Sequence, residues 1–298
     1  MQNSIMRGIS APVLTPFYED GSVNYGEFER LVAYITDNGV HGIFVSGTTG
    51  EFINLTIDER KKLLVSAKKA AKPGTKIMFN TTAMNLQELQ ELMDFAAEQK
   101  VDAVSVTAPY YHGYDAKALI AYFQRAAAMA NGQPIYLYNM AAMTRNPISA
   151  AVLKAVVESC TNVKGIKDSS MDFMVLLEYQ NAVVGKDFEF ITGNDAQVLS
   201  ALQAEADGGV IAVASVFPRL SMEVWDKYQS GDIDGARAAQ NKILKLRGLY
   251  RDIMPIMSHK ATLELLGFAM GPARFPFRDL TEQERLRVHD TIKELGLL

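Results

Sequence analysis

The chain has 298 residues, 48% of them hydrophobic and 21% charged, with 30 Lys and Arg against 34 Asp and Glu for a formal net charge of −4. This is the composition of a globular protein with a substantial core, and its acidic balance excludes a nucleic-acid binder that works through a basic surface. The single cysteine, Cys160, excludes an internal disulfide framework and a cysteine-built zinc site.

The opening MQNSIMRGISAPV has no apolar run long enough for a signal peptide. No stretch approaches the roughly 18 apolar residues of a membrane span, so a cytoplasmic protein is expected. From there, short β-rich runs alternate with longer amphipathic ones. Strands are predicted at Gly8–Leu14, Gly42–Ser46, Lys76–Asn80, Ala103–Thr107, Ile135–Tyr138, Val163–Lys167, Phe188–Thr192 and Gly209–Val213. They are short, mostly apolar and closed by Gly, Pro, Asn or a hydroxyl residue, as suits parallel strands buried on both faces.

Helices are predicted between them at Asn24–Asp37, Ile57–Ala71, Leu86–Gln99, Ala116–Ala130, Ser149–Glu158, Met171–Ala182 and Ala196–Ala206. Thr56 ahead of Ile57-Asp58-Glu59 reads as a capping box, and Asn38-Gly39 and Asn131-Gly132 read as helix stops. After the eighth strand only helices follow: Arg219–Gln229, Ile233–Ile253, a segment around His259–Leu266, and Thr281–Leu295. Eight strand–helix units and a helical tail point to an α/β fold of the (β/α)8 type. The alternative is an open doubly wound sheet, since alternation alone does not show closure. No G-x-G-x-x-G follows the first strand and no G-x-x-x-x-G-K-[ST] occurs, which weighs against nucleotide-binding versions of either fold.

Barrel enzymes carry their chemistry at the C-terminal ends of the strands. The sixth predicted strand ends on Lys167. An amine pointing inward among apolar barrel residues is expected to have a lowered pKa and to act as a nucleophile. It would attack a ketone to give an imine, and the protonated imine is an electron sink for making or breaking a neighbouring carbon–carbon bond. Most lysines merely face solvent, so Lys167 gains weight only from its neighbours. Tyr138, at the end of the adjacent fifth strand, can offer its hydroxyl to the same mouth as a proton shuttle, or be an ordinary buried tyrosine. Gly47-Thr48-Thr49-Gly50-Glu51, after the second strand, can hold a carboxylate on its free N–H groups and hydroxyls, or be a plain glycine turn.

Together, GTTGE at 47–51, PYY at 109–111, YN at 138–139 and GIKD at 165–168 resemble the pyruvate-dependent class I aldolases. That superfamily includes dihydrodipicolinate synthase and N-acetylneuraminate lyase, and the resemblance runs from GISAPVLTPF to the C-terminal helices. It implies a TIM barrel over residues 1–216 with a helical extension over 217–298, usually assembled as a homotetramer. It implies that Lys167 forms the Schiff base and that Tyr138 relays protons. Thr48 links Tyr138 to a second tyrosine, Tyr111, which reaches in from a neighbouring subunit. Gly47 and Thr49 would bind the pyruvate carboxylate, and the backbone of Ile211 would lie beside pyruvate. Neither a metal nor an organic cofactor is implied, and His41, His112, His259 and His289 read as structural or surface residues.

Departures bear on the second substrate. Dihydrodipicolinate synthases usually run Y-N-x-P-x-R-T-G here, the arginine binding the aldehyde's carboxylate; this chain has Met143 in that place and Arg145 two residues on. Gly193-Asn194-Asp195 matches a hydroxyl-binding loop of neuraminate lyases, but Ala196 stands where those have glutamate, and Ala212-Val213-Ala214 lacks their serine–threonine pair. Lys167-Asp168-Ser169 is similar to the K-D-[ST] of bacterial 2-keto-3-deoxy sugar-acid aldolases. The expectation is an aldolase acting reversibly on pyruvate and an aldehyde, with Met143 and Asp195 facing the aldehyde half and a 2-keto-3-deoxy sugar acid as the leading substrate class. The alternatives are dihydrodipicolinate synthesis from pyruvate and aspartate semialdehyde, a dehydratase or hydratase-aldolase, and a non-catalytic 2-oxo-acid-binding barrel. Pyruvate and an aldehyde are the expected partners, with no nucleic acid and no membrane.

Overall fold

Strands such as Gly8–Pro12, Gly42–Val45, Ala103–Thr107 and Ile135–Asn139 are buried at every position, so each needs cover on both faces. In the computed structural model, which describes residues 4–298, the chain provides it by closing the sheet. Eight parallel strands form a barrel in sequence order: β1 (Gly8–Pro12), β2 (Gly42–Val45), β3 (Lys76–Asn80), β4 (Ala103–Thr107), β5 (Ile135–Asn139), β6 (Val163–Asp168), β7 (Glu189–Thr192) and β8 (Gly208–Val210). Closure rules out the open-sheet alternative. Around the strands and after them run α1 (Tyr25–Asp37), α2 (Ile57–Ala70), α3 (Leu86–Glu98), α4 (Ala116–Met129), α5 (Ala141–Thr144), α6 (Ala150–Ser159), α7 (Phe173–Ala182), α8 (Val198–Gln203), α9 (Pro218–Gln229), α10 (Ile233–Asp252), α11 (Pro255–Leu265) and α12 (Glu282–Glu294). The fold is a (β/α)8 barrel with C-terminal helices, and no helix among the described residues is long and apolar enough to cross a membrane.

The capping box at Thr56 and Glu59 forms, and a second one at Thr281 and Glu284 starts α12. Inside the barrel, Met6, Phe44, Met78, Tyr136, Tyr138, Ile191 and Val210 belong to one apolar cluster. The strand side chains in it follow the period of two. Gly165 makes room for this packing, because a Cβ there would meet the Tyr136 ring at 2.2 Å. At the N-terminal end of the barrel, Glu189 accepts hydrogen bonds from the Met6 N–H at 2.9 Å and the Tyr136 hydroxyl at 2.7 Å.

Most boundaries differ from the predicted ones by a residue or two, and β1 ends at Pro12 rather than Leu14; three differences have an identifiable cause. β8 ends at Val210 rather than Val213, and Ala212–Ser215 is a single 3-10 turn, because the Val213 N–H is drawn out of the ladder to the Asp195 carboxylate at 2.8 Å. The helix predicted over Ala196–Ala206 splits into a 3-10 turn, Asp195–Gln197, and α8. Gln240 of α10 causes this: its side chain accepts from the Leu199 N–H and donates to the Asp195 carbonyl. α7 starts at Phe173 rather than Met171, since Met171 is left-handed (φ 65) and Asp172 is the cap. The short helix α5 has no counterpart among the predicted elements.

Candidate active site

Strand register sets the centre of the site. Tyr138 of β5 pairs with Lys167 of β6, and the next residues, Asn139 and Asp168, pair likewise. Both inner side chains are buried, Lys167 at 4% exposure and Tyr138 at 2%. The Lys167 Nζ lies 4.0 Å from the centre of the Tyr138 ring and 4.5 Å from that of Phe44, within the range of cation–π attraction. Room for the lysine comes from Gly193 at the end of β7. A Cβ there would stand 3.0 Å from Lys167 Cε and 1.9 Å from the Ser169 hydroxyl.

The Tyr138 hydroxyl is 3.3 Å from Thr48 Oγ1. Burial pushes the phenol's pKa up, but the Lys167 charge and polar contacts with Thr48, Ser169 and Lys167 outweigh it and leave the pKa below its ordinary value. A phenol poised in this way, beside an amine, can give and take a proton. Outside the pair, Asn139 Nδ2 donates to Asp168 Oδ1 at 2.7 Å, the Ser170 hydroxyl donates to Oδ2, and the Ile148 N–H donates to Asn139 Oδ1. Burial raises the Asp168 carboxyl despite these bonds.

The loop after β2 begins with Ser46 in left-handed backbone (φ 58) and ends with Glu51 likewise (φ 61). Gly47 lies so close to Phe44 that a Cβ would meet its ring at 2.5 Å, and a Cβ on Gly50 would come 2.8 Å from the Val13 carbonyl. The Glu51 N–H donates to the Thr48 carbonyl at 3.0 Å, closing a tight turn. Thr48 and Thr49 are half-buried at its crest. A polar layer beneath anchors it: Asn80 Nδ2 donates to the Ser46 carbonyl, and the buried Arg60 guanidinium donates to the carbonyls of Asn80 and Thr82.

The remaining predicted residues are dispersed. Tyr111 is 78% exposed in left-handed backbone (φ 80), its ring edge-on to His112; the protomer does not bring it to Tyr138. A largely apolar cavity of about 140 Å³ adjoins Thr48, lined also by Phe52, Tyr110, Met140 and Met143. Met143 is exposed on α5, which Arg145 ends in left-handed backbone (φ 62) beside Tyr110 and Tyr111. Ile211 is fully buried, its N–H bound to the Ser10 carbonyl and its own carbonyl to the Ala214 N–H. Asp195 ties the end of β7 to the turn after β8. Burial raises its carboxyl, opposed by the Val213 N–H and by the neighbouring His259 and Arg247. His259 is buried, with Nδ1 against the Pro255 carbonyl. Among the described residues, no three His, Cys, Asp or Glu side chains converge to hold a metal ion.

Sequence reasoning quoted Gly193 and Ser169 only within motifs bearing on the second substrate, and foresaw neither their packing against Lys167 nor the Asn139–Asp168 bond. The signal for the last was present, since YN and KD end two strands predicted to be adjacent.

A model of the dihydrodipicolinate synthetase family matches residues 5–295. A Halobacterium salinarum protein described as an uncharacterized DapA-like lyase is 31% identical over 293 residues, 98% of this chain and 95% of that one. The 4-hydroxy-tetrahydrodipicolinate synthase of Fervidobacterium nodosum is 28% identical, covering 98% of this chain and 99% of its own. Among solved structures, YagE from E. coli K12, a prophage protein of the dihydrodipicolinic acid synthase family in complex with pyruvate, superposes with a TM-score of 0.94 at 26% identity, over 99% of this chain and 100% of that one. The barrel, the motifs at its strand ends and a match over nearly the whole length agree: this chain belongs to the dihydrodipicolinate synthetase family, within the superfamily of pyruvate-dependent class I aldolases.

Proposed function

We propose that the protein is a cytoplasmic lyase that forms a Schiff base between Lys167 and pyruvate and reversibly joins pyruvate to an aldehyde. The observation that carries this reading is the buried Lys167–Tyr138 pair, with the Tyr138 hydroxyl 3.3 Å from Thr48. The Lys167 amine adds to the pyruvate C2 carbonyl, and loss of water, with Tyr138 supplying the proton for the departing hydroxyl, gives the protonated imine. The Tyr138 phenolate then takes a proton from the methyl carbon to form an enamine, whose carbon attacks the aldehyde. The resulting alkoxide takes its proton from Tyr138, and hydrolysis frees the lysine; cleavage runs the same steps backwards. Gly47 and the Thr49 N–H receive the pyruvate carboxylate, and the backbone of Ile211 lies beside the bound pyruvate. These steps draw on side chains and backbone alone, with no added cofactor.

The assembly on this reading is a homotetramer, in which Tyr111 of a second copy extends the Thr48–Tyr138 chain. Its exposed, left-handed placement and the apolar cavity beside Thr48 support that role. For the aldehyde, Met143 at the mouth offers no charge to a carboxylate, which favours a polyhydroxylated aldehyde and hence a 2-keto-3-deoxy sugar acid, with Asp195 on its hydroxyl side. The second reading is 4-hydroxy-tetrahydrodipicolinate synthase, favoured by Arg145, whose side chain edges the same hollow as Tyr111.

Intact mass after treatment with pyruvate and borohydride, followed by peptide mapping, tests the chemistry. A reduced pyruvate adduct on Lys167, absent in Lys167→Ala, is the expected result; no adduct on folded protein rejects the Schiff base. A panel of aldehydes with pyruvate then separates the substrates, and turnover of aspartate semialdehyde alone would establish the second reading.

A further inference from the structure

Thr48 and Thr49 are open enough to meet a substrate, yet the residue that closes their turn is a buried carboxylate. The Glu51 side chain has 0% exposure and its counter-charge comes from the C-terminal extension: Lys260 Nζ of α11, 1% exposed, stands 2.7 Å from Glu51 Oε1. The contact is a buried ion pair at hydrogen-bonding distance, although its angles fall outside those of an aligned hydrogen bond. The ammonium otherwise faces the Phe17 ring, 4.3 Å from its centre.

Such a pair is a poor source of stability. Taking both charges out of water costs as much as their attraction returns. What it fixes is position. The Glu51 N–H holds the Thr48 carbonyl, and the Phe52 N–H holds the Gly47 carbonyl at 3.3 Å, so the direction in which Glu51 is pulled sets the turn. From the barrel side, Asn80 secures the start of the turn through Ser46 and the Thr15 hydroxyl donates to the Gly50 carbonyl at 2.7 Å; from the other side, Lys260 draws on the Glu51 carboxylate in direct contact, with Arg274 adding a more distant attraction. The hydroxyl contact the turn carries, Thr48 to Tyr138 at 3.3 Å, is already at the long end for an O–H···O bond. A small displacement of the turn breaks it.

We propose that Lys260 is a positioning residue: through Glu51 it holds the Thr48–Thr49 turn against Tyr138, which makes α11 part of the active-site frame. The inference rests on the Lys167–Tyr138 chemistry proposed above. Its test uses pyruvate alone, with deuterium exchange of the pyruvate methyl protons followed by NMR, and the Tyr138 phenol titrated by ultraviolet difference against Tyr138→Phe. Lys260→Met should still give the borohydride adduct on Lys167. Its exchange kcat should fall by about tenfold to a hundredfold, by more than KM rises, and the phenol should titrate at higher pH.

The double variant Glu51→Gln/Lys260→Met removes both charges. It should regain thermal stability while exchange stays slow. Folded variants with wild-type exchange and phenol titration would overturn the proposal, as would full recovery of exchange in the double variant, which would mark the pair as structural only. If Lys260→Met is insoluble, Lys260→Arg, which keeps the charge but alters its reach, is read the same way. The controls keep the two ideas apart: a wild-type protein without adduct rejects the Schiff-base reading, while the phenol titration, which needs no substrate, still reports on Lys260.

Discussion

Asn139 Nδ2 donates to Asp168 Oδ1 at 2.7 Å, one register step beyond the Tyr138–Lys167 pair. The bond fastens the ends of β5 and β6 at the point where their inner side chains must meet. In Asp168→Ala, the buried Asn139 amide loses its acceptor, at a cost of about 1–3 kcal/mol. The strand ends then part, and pyruvate exchange should slow while the Lys167 adduct still forms. Urea unfolding and the exchange assay, run on the same sample, check both effects. Unchanged exchange would confine the bond to stability.

Gly193 is expected to be intolerant for a different reason. The Cβ of Gly193→Ala would collide with Ser169 and press on Lys167 Cε, so the lysine must turn away from Tyr138. Adduct formation should slow by about tenfold or more, equal to about 1.4 kcal/mol on the barrier, with circular dichroism unchanged. Timed borohydride quenching measures this.

At the opposite end of the barrel the trade is reversed. Glu189→Ala strips acceptors from the Met6 N–H and the Tyr136 hydroxyl, both far from the strand ends that carry the chemistry. Stability should fall by about 3 kcal/mol or more, while kcat at a temperature where the protein is folded stays near wild type. A matching loss of kcat would show that the two ends of the barrel are coupled.

His41 gives a pH dependence with a defined sign. Burial holds its imidazole below the ordinary pKa, against the opposing influence of Asp226, and its Nδ1 accepts the Ile9 N–H at 3.1 Å. The unfolded chain therefore binds this proton at higher pH than the folded one. Stability from His41 is complete above pH 6.5 and declines as pH falls from there toward the folded-state pKa, with a slope of at most about 1.4 kcal/mol per pH unit. Urea midpoints from pH 7.5 to 5 should fall less steeply in His41→Gln, whose amide oxygen can accept the same N–H. Taking the difference between the two proteins removes His259, which burial also holds low.

The barrel was legible because its strands are short apolar runs and their order repeats. The placement of Tyr138 beside Lys167 was legible because each closes one of two consecutive strands, and parallel register then sets them side by side. What escaped is long-range. β8 is cut short by a carboxylate from the loop after β7, and α8 is split by Gln240 from α10; no local pattern announces either. Lys260 sits in an ordinary helical segment, and only the folded chain reveals that its partner is the glutamate of GTTGE. Tyr111 could be named from its motif; within one protomer the backbone carries it outward, and the tyrosine it was expected to join belongs to a neighbouring subunit.

The pairing of Glu51 with Lys260 also bears on the order in which the protein can be made. Synthesis delivers Glu51 early and all eight strands well before α11. When the ring of strands could first close around a nascent chain, the carboxylate it must bury would still lack its cation. Until α11 is in place the Glu51 carboxylate lacks the cation that faces it in the folded chain, so docking of the C-terminal helices is expected to be what fixes the threonine turn.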